Sequence, residues 1–327
     1  MPVSRFPGLD IVAIVPCHNE EAAIATVIRD LRAAVPGMRI VVYDNRSTDR
    51  TAEIARHAGA EVRAEERKGK GNVVRRAFAD LEADVYVLVD GDDTYDSTAT
   101  GHLVETLLSG PYDHVLGVRR EAGDGGSAYR AGHAAGNRAF NGLTSRVFGE
   151  TVTDMLSGFR VFSRRFVKSF PADSREFEIE TELTVHAVHL RIPQVEVPVG
   201  FKDRPEGSES KLRTYRDGSK ILGLLLTLTR HERPVAFFGV LSSLLLAASA
   251  VLLVPILLTF ADTGLVPRFP TLFLVFTLVL LATLLFVAGV ILDGIRRSRR
   301  ELARLRYLAM PALPFRPVEG QPAGGNA

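Results

Sequence analysis

The sequence contains one cysteine, Cys17, and no tryptophan among its 327 residues. A single cysteine cannot form an internal disulfide, which excludes the disulfide-stapled class and fits a reducing compartment. Neither a C-x-x-C pair nor an H-E-x-x-H segment occurs, so these two zinc-site patterns are absent. Positive and negative charges nearly cancel, with 40 Lys and Arg against 38 Asp and Glu. This balance argues against nucleic acid as the main partner, because a phosphate backbone requires a broad basic excess.

The two common glycine-rich phosphate loops are also missing. No G-x-G-x-x-G follows the first predicted strand, and no G-x-x-x-x-G-K-[S/T] occurs anywhere in the chain. If a nucleotide binds, groups other than a glycine loop must hold its phosphates.

Two long apolar stretches lie late in the chain. Val235–Ala261 and Phe269–Leu292 contain no charged residue, and each exceeds the roughly 20 residues that a helix needs to cross a bilayer. The alternative is a pair of buried core helices, but such helices rarely run so far without a charge. We therefore predict membrane helices at 234–261 and 269–293. The Lys and Arg residues that flank the pair predict that both ends are cytoplasmic.

The rest of the chain divides by composition. Residues 1–210 predict a cytosolic α/β domain. Residues 211–233 join a basic run to apolar residues, which suggests an amphipathic juxtamembrane helix in the headgroup layer. An ordinary helix packed on the domain is an equally open interpretation of that segment. Residues 294–327 form a basic cytosolic segment followed by a Pro- and Gly-rich tail that we expect to be disordered.

Apolar runs alternate with helical patterns in the first part of the chain. Five runs fit strands: Ile11–Val15, Arg39–Tyr43, Glu61–Ala64, Val85–Val89 and His114–Val118. This alternation predicts an α/β fold with a mostly parallel sheet and helices on both faces. Ligands bind beyond the carboxyl ends of the strands in such sheets. Asp44 and Asp90 both fall at those ends, which is the first indication of a site.

An acidic cluster, Asp90-Gly91-Asp92-Asp93, follows the fourth predicted strand directly. Carboxylates this close repel one another unless a cation neutralises them. Oxygen ligands suit Mg²⁺ or Mn²⁺, which are held by a few carboxylates together with substrate phosphates. An acidic turn is the alternative, because Asp and Gly are turn residues. The position after a strong strand favours a metal site, with Asp90 and Asp92 as ligands.

Four ordered segments resemble glycosyltransferase family 2: Val15–Glu20, Asp44–Thr51, Lys68–Asn72 and the Asp90-x-Asp92 pair. The resemblance implies a GT-A fold that binds a nucleotide-diphosphate sugar, with Asp44 accepting a hydrogen bond from the base and Asp92 holding the metal. The implied donor-binding residues are Pro16, His18, Asn19, Glu20, Asp44, Lys70, Asp90 and Gly91. One departure is Arg46, which stands where many members have a small residue.

Three later segments resemble the polyprenyl-phosphate branch of the same family, which includes dolichyl-phosphate mannosyltransferases and undecaprenyl-phosphate glucosyltransferases: Asp154–Arg160, Glu176–Glu180 and Arg204–Leu212. This resemblance implies roles for Asp154, as a base or as an orienter, and for Arg119. Alternate glutamates cannot share one helix face, and the motif position selects Glu178. Arg204, Ser210 and Lys211 would bind the lipid phosphate.

We predict a membrane-anchored, metal-dependent hexosyltransferase that uses a UDP- or GDP-sugar, Mg²⁺ or Mn²⁺, and a polyprenyl phosphate acceptor at the inner membrane. A phosphate monoester is already anionic at pH 7, so no strong general base is required. Inversion is implied by the resemblance alone. The alternatives are a processive polysaccharide synthase and a non-catalytic sugar-nucleotide sensor or scaffold. The synthase is disfavoured because its QxxRW segment needs a tryptophan. Association into oligomers through the membrane helices stays open.

Overall fold

The computed structural model describes residues 5–121, 153–172, 178–202, 230 and 233–314. Its strands are β1 (Ile11–Cys17), β2 (Arg39–Asp44), β3 (Glu61–Ala64), β4 (Val85–Leu88), β5 (His114–Glu121), β6 (Arg160–Ser163) and β7 (Gln194–Phe201). Its helices are α1 (Ile24–Ala34), α2 (Thr51–His57), α3 (Lys70–Asp80), α4 (Thr100–Leu108), α5 (Arg164–Ser169), α6 (Glu178–Leu190), α7 (Pro234–Thr263) and α8 (Phe269–Leu308).

The seven strands form one sheet in the order β3-β2-β1-β4-β6-β5-β7. β6 runs antiparallel to both of its neighbours, β4 and β5, and the remaining pairs are parallel. The predicted mostly parallel α/β sheet is therefore confirmed, although the antiparallel insertion of β6 was not foreseen. The first strand also continues past its predicted end at Val15, and Pro16 lies within β1 opposite Tyr43 of β2.

The sheet is buried on both faces. In β1, Ala13 and Val15 pack into one apolar cluster with Val27 of α1, whereas Val12 and Ile14 pack into a second cluster on the other face. A central parallel strand needs such cover on both sides, which is why its sequence is almost continuously apolar. The packing aligns the carboxyl ends of β1, β2 and β4 at one edge of the sheet.

One helix carries a buried histidine. His186 of α6 is buried, although histidine is a polar residue that helices usually place at their surface. Its Nε2 lies 3.0 Å from the hydroxyl of Ser169, and its ring packs edge-on against Phe166 and Phe170. These contacts explain why an imidazole is accommodated in the core.

The two apolar stretches form the long helices α7 and α8, both of which are long and apolar enough to cross a membrane. Their large side chains are mostly exposed, for example Leu258 at 63% and Phe273 at 68%. A buried core helix would hide such residues, so these helices expose an extensive apolar surface. α8 does not stop at the predicted end of the span, because the basic residues after 293 continue the helix to Leu308.

The chain divides into two compact units, Leu212–Leu302 and a unit that joins Met1–Lys211 to Ala303–Ala327. Within the latter, the hydroxyl of Tyr307 donates to Asp113 Oδ2 at 2.6 Å. The guanidinium of Arg165, which is ion-paired with Asp113, lies 4.6 Å from the centre of the Tyr307 ring. The end of α8 is thereby part of the α/β unit.

Candidate active site

The loops after β1 and β2 are tied to each other at the carboxyl edge of the sheet. The backbone N–H of Asn19 donates to Ser47 Oγ at 3.0 Å, and Asn19 Oδ1 accepts from the N–H of Thr48 at 2.8 Å. The backbone N–H of Glu20 donates to Thr51 Oγ1 at 2.8 Å. Through these hydrogen bonds Asn19 fixes the conformation of the loop that the sequence analysis assigned to donor binding.

Arg46 has a backbone φ of 62°, in the left-handed region. Glycine adopts this conformation without steric penalty, so Arg46 occupies a backbone position that favours glycine. The exposed Arg46 side chain leaves the turn intact. Asp44, which ends β2, accepts the Ser47 N–H through Oδ1 at 3.2 Å and is half-buried. The turn thus holds the Asp44 carboxylate at the edge of the sheet.

Asn45 is a buried residue that the sequence analysis did not single out. Its amide nitrogen donates to the carbonyl oxygens of Glu65 and Arg67, and its Oδ1 accepts from the N–H of Gly69 at 2.7 Å. His18 Nδ1 lies 2.9 Å from the Asn45 carbonyl oxygen. Asn45 therefore links the loop after β1 to the turn that begins α3.

That turn places Lys70 in a buried ion cluster. Lys70 Nζ forms ion pairs with Asp90 Oδ1 and, at 2.6 Å, with Glu180 Oε1 of α6. Burial by itself would lower the pKa of Lys70, but the two carboxylates raise it above the usual value. Burial raises the pKa of Glu180, and the attraction of Lys70 only partly offsets that rise. Lys70 is therefore a fixed cation beside Asp90.

Gly91 allows the acidic loop to approach β1 closely. A Cβ at this position would lie 2.4 Å from Cys17 Sγ, so a larger residue would push the loop away. Cys17 is buried, which supports packing as its role. Asp92 is also buried and accepts from the backbone N–H and the hydroxyl of Thr94, at 3.2 and 2.7 Å. These contacts orient the Asp92 carboxylate within the loop.

The acidic loop suits a divalent cation that is also bound by ligands from outside the protein. Among the described residues, no group of three His, Cys, Asp or Glu side chains is placed to hold a metal ion. Within the described residues, Asp90 and Asp92 are then the candidate ligands. Mg²⁺ is commonly bound in this way, by one or two carboxylates together with substrate phosphates and water. The residues present therefore fit a metal that arrives with a diphosphate.

Arg119 and Asp154 form a bidentate ion pair. Arg119 Nε donates to Asp154 Oδ2 at 2.7 Å and a terminal nitrogen donates to Oδ1 at 2.6 Å. The backbone N–H of Arg119 adds a third hydrogen bond to Oδ2 at 3.2 Å. Both carboxylate oxygens of Asp154 thus hold the guanidinium in one orientation.

Arg160, a fully buried arginine, holds the segment from Asp154 to Gly158 in place. Its guanidinium donates to the carbonyl oxygens of Met155 and Ser157 and to Thr184 Oγ1 of α6. Burial lowers the pKa of Arg160 to about 10. Neither Arg160 nor this set of contacts was recognised from the sequence as part of the site.

The same segment meets the ion cluster at Gly158. Tyr95 accepts the Gly158 N–H through its hydroxyl at 2.9 Å, and a Cβ on Gly158 would fall 2.2 Å from Asp90 Oδ2. One loop thus carries Asp154 at its start and contacts Asp90 at its end.

The remaining predicted residues are not described at the side-chain level. Arg204, Ser210 and Lys211 lie outside the described residues. Glu178 begins α6, but its side chain is also outside the described part. The helix brings Glu180, a glutamate that the sequence analysis set aside, into the ion cluster, and the role of Glu178 stays a prediction. Glu178 and Glu180 are two residues apart, so only one of them can lie on the buried face of α6. This spacing was the sequence signal that could have pointed to Glu180.

Comparison with known proteins agrees with this architecture. Residues 12–170 match the model of glycosyl transferase family 2. Glycosyltransferase AglJ of Haloferax volcanii is 36% identical over 236 residues, which cover 72% of this chain and 77% of the relative. A dolichyl-phosphate hexose transferase of the same organism is 30% identical, over 68% of this chain and 96% of the relative.

A solved structure shares the fold. Glucosyl-3-phosphoglycerate synthase of Mycobacterium tuberculosis, in complex with Mn²⁺, UDP-glucose and glycerol 3-phosphate, superimposes with a TM-score of 0.55 at 24% identity. The match covers 68% of this chain and 79% of the synthase. The α/β unit therefore has the GT-A-like fold that the sequence predicted, followed by two long apolar helices. With its ordered motifs at the carboxyl edge of that sheet, the chain belongs to glycosyl transferase family 2.

Proposed function

We propose that this protein transfers a hexosyl unit from a UDP- or GDP-sugar to a polyprenyl phosphate. The observation that carries the proposal is the segment from Asp154 to Gly158. At one end Asp154 orients the cationic Arg119, and at the other end Gly158 contacts Asp90 of the acidic loop. The segment thereby connects Arg119, a cation that would bind the anionic acceptor, to the carboxylates that would face the donor diphosphate.

The acceptor chemistry needs this arrangement. A phosphate monoester has a second pKa of about 6, so its oxygen is a nucleophile at pH 7 without a base. The difficulty is the repulsion between two anionic substrates, which fixed cations offset. We assign this role to Arg119, and we assign orientation of Arg119 to Asp154, since both oxygens of Asp154 already accept from that guanidinium. The phosphate oxygen attacks the anomeric carbon in line, which inverts its configuration and releases the nucleoside diphosphate.

The donor would lie along the carboxyl edge of the sheet. Asp44 accepts a hydrogen bond from the base, and the loop from Pro16 to Glu20 lines the nucleotide. Asp90 and Asp92 would hold Mg²⁺ or Mn²⁺, which neutralises the diphosphate leaving group when bound. Lys70 keeps Asp90 in position through their ion pair.

The lipid acceptor is supported by the apolar helices and by the name of the dolichyl-phosphate hexose transferase that resembles this chain. We assign α7 and α8 as two membrane spans of the inner membrane, with the α/β unit in the cytosol. Arg204, Ser210 and Lys211 are our candidates for binding the lipid phosphate.

The test uses the full chain in detergent or nanodiscs with a panel of radiolabelled UDP- and GDP-sugars, undecaprenyl or dolichyl phosphate, and Mg²⁺ or Mn²⁺. We expect label in the lipid fraction, release of nucleoside diphosphate that depends on the lipid phosphate, and loss of both with EDTA. Asp92→Asn should abolish transfer. Its neighbour Asp93 pairs with Lys202 at 2.8 Å instead, so Asp93→Asn is the matched control and should stay active.

Three outcomes would contradict the proposal. Polymeric product would indicate a processive synthase, and sugar-nucleotide binding without turnover would indicate a sensor or scaffold. Full activity of Asp92→Asn would refute the metal assignment.

A further inference from the structure

The end of β7 is bound to the chain that follows the acidic loop. The backbone N–H of Asp96 donates to the carbonyl oxygen of Gly200 at 3.0 Å, and the N–H of Lys202 donates to that of Thr94 at 2.9 Å. Phe201 lies between these two hydrogen bonds. Its backbone position is therefore fixed relative to the acidic loop.

The side chain of Phe201 contacts two residues that reach the candidate site. Arg119 Cζ lies over the Phe201 ring, 5.5 Å from its centre. The ring of Tyr95 packs edge-on against Phe201, with the ring centres 5.3 Å apart. Tyr95 is buried, and its hydroxyl accepts the Gly158 N–H at 2.9 Å. One phenylalanine thus touches the cation assigned to the acceptor and the tyrosine that holds Gly158 beside Asp90.

Asp154 and Phe201 hold different parts of the Arg119 guanidinium. Asp154 accepts two hydrogen bonds along the edge of the group, which fixes the direction in which it points. The ring of Phe201 lies against the group and limits the tilt of its plane, while the negative face of the ring attracts the charge. The Arg119 side chain is only 21% exposed. This attraction is therefore stronger than at a fully solvated surface.

We propose that Phe201 is a positioning residue for acceptor binding, which holds Arg119 at the angle at which its guanidinium meets the acceptor phosphate. The order of the chain supports this role, because Arg204, a candidate for binding the lipid phosphate, follows Phe201 by three residues. The inference rests on the proposed function, since it requires an anionic acceptor at Arg119.

The test compares two replacements of the ring. Phe201→Leu keeps an apolar side chain but has no aromatic face, whereas Phe201→Tyr keeps the face. Phe170→Leu is the matched control, because it makes the same change in the apolar cluster on the other face of the sheet. The full chain in nanodiscs is assayed for sugar transfer at varied polyprenyl phosphate, for affinity towards UDP or GDP with Mg²⁺ by calorimetry, and for thermal unfolding.

We expect Phe201→Leu to raise KM for the lipid phosphate about 3- to 30-fold, as for the loss of one partly desolvated contact between a cation and an aromatic ring. Affinity for the nucleoside diphosphate should stay within about twofold of the wild type, because that ligand does not depend on Arg119. Phe201→Tyr should keep KM within about twofold. Phe170→Leu should lower the melting temperature and leave KM unchanged.

Three results would overturn the inference. The first is a wild-type KM for the lipid phosphate in Phe201→Leu. The second is an equal rise of KM in the Leu and Tyr variants. The third is a parallel loss of nucleoside diphosphate affinity in Phe201→Leu, which would show that Phe201 only supports the loop. If the wild-type protein transfers no sugar to a polyprenyl phosphate, the proposed function itself fails, and that outcome is visible before any variant is made.

Discussion

Replacing Gly158 with alanine should disable catalysis while leaving the fold intact. A Cβ at this position would lie 2.2 Å from Asp90 Oδ2, 2.9 Å from Asp90 Cγ and 2.9 Å from Lys70 Nζ. Non-bonded heavy atoms normally sit at about 3.5 Å. The Asp90 carboxylate must therefore retreat by about 1 Å, which disturbs its ion pair with Lys70.

The size of the effect follows from that displacement. A misplacement of about 1 Å in a catalytic site can lower the rate about 100-fold, which corresponds to about 2.7 kcal/mol in the activation barrier. The loss of stability should lie near the lower end of the usual range for overpacking, because the atoms that collide are the ends of side chains and Asp90 is 27% exposed. Overpacking of this kind destabilises by about 1–3 kcal/mol at most sites. The variant should therefore remain folded.

The assay pairs initial rates of sugar transfer with thermal unfolding of the full chain in detergent. Gly294→Ala on α8 is the matched control, because its added Cβ meets no atom within 4 Å, and we expect it to retain full activity. A Gly158→Ala variant that melts normally and turns over at the wild-type rate would refute the claim that the position of Asp90 limits the reaction.

Three further predictions follow from other contacts. Asp154→Asn should lower kcat/KM at least tenfold by releasing Arg119, with an unchanged shape of the pH–rate profile; loss of the acidic limb would instead identify a base. Tyr307→Phe should lower the free energy of unfolding by about 1–2 kcal/mol in chemical denaturation, since it removes the hydrogen bond to Asp113, and an unchanged midpoint would contradict that. Burial lowers the pKa of His186 to about 3, below its unfolded value of about 6.5. Its contribution to stability is therefore complete above pH 6.5 and declines by up to about 1.4 kcal/mol per pH unit on acidification. Melting curves of His186→Asn between pH 7 and 4 should show a shallower decline than the wild type, and equal slopes would count against the buried neutral imidazole.

Local chain chemistry determined much of this protein. The apolar runs predicted five of the seven strands, and Asp44 at the end of β2 and Asp90 after β4 indicated the edge of the sheet where the candidate site lies. This is possible because side-chain periodicity and strand ends are set by neighbouring residues. The apolar composition of Val235–Ala261 and Phe269–Leu292 likewise predicted α7 and α8 without reference to the rest of the chain.

Tertiary structure alone decided which polar groups meet. The pairing of Lys70 with Glu180, the hold of Asp154 on Arg119 and the contacts of buried Arg160 join residues from separate elements. No local pattern encodes these distances, because they depend on how β6 inserts antiparallel into the sheet and on which face α6 presents to it. A one-residue shift in the register of α6 would have placed Ile179 or Thr181 beside Lys70 in place of Glu180. The sequence could thus indicate the chemistry of the site, whereas packing selected the side chains that carry it.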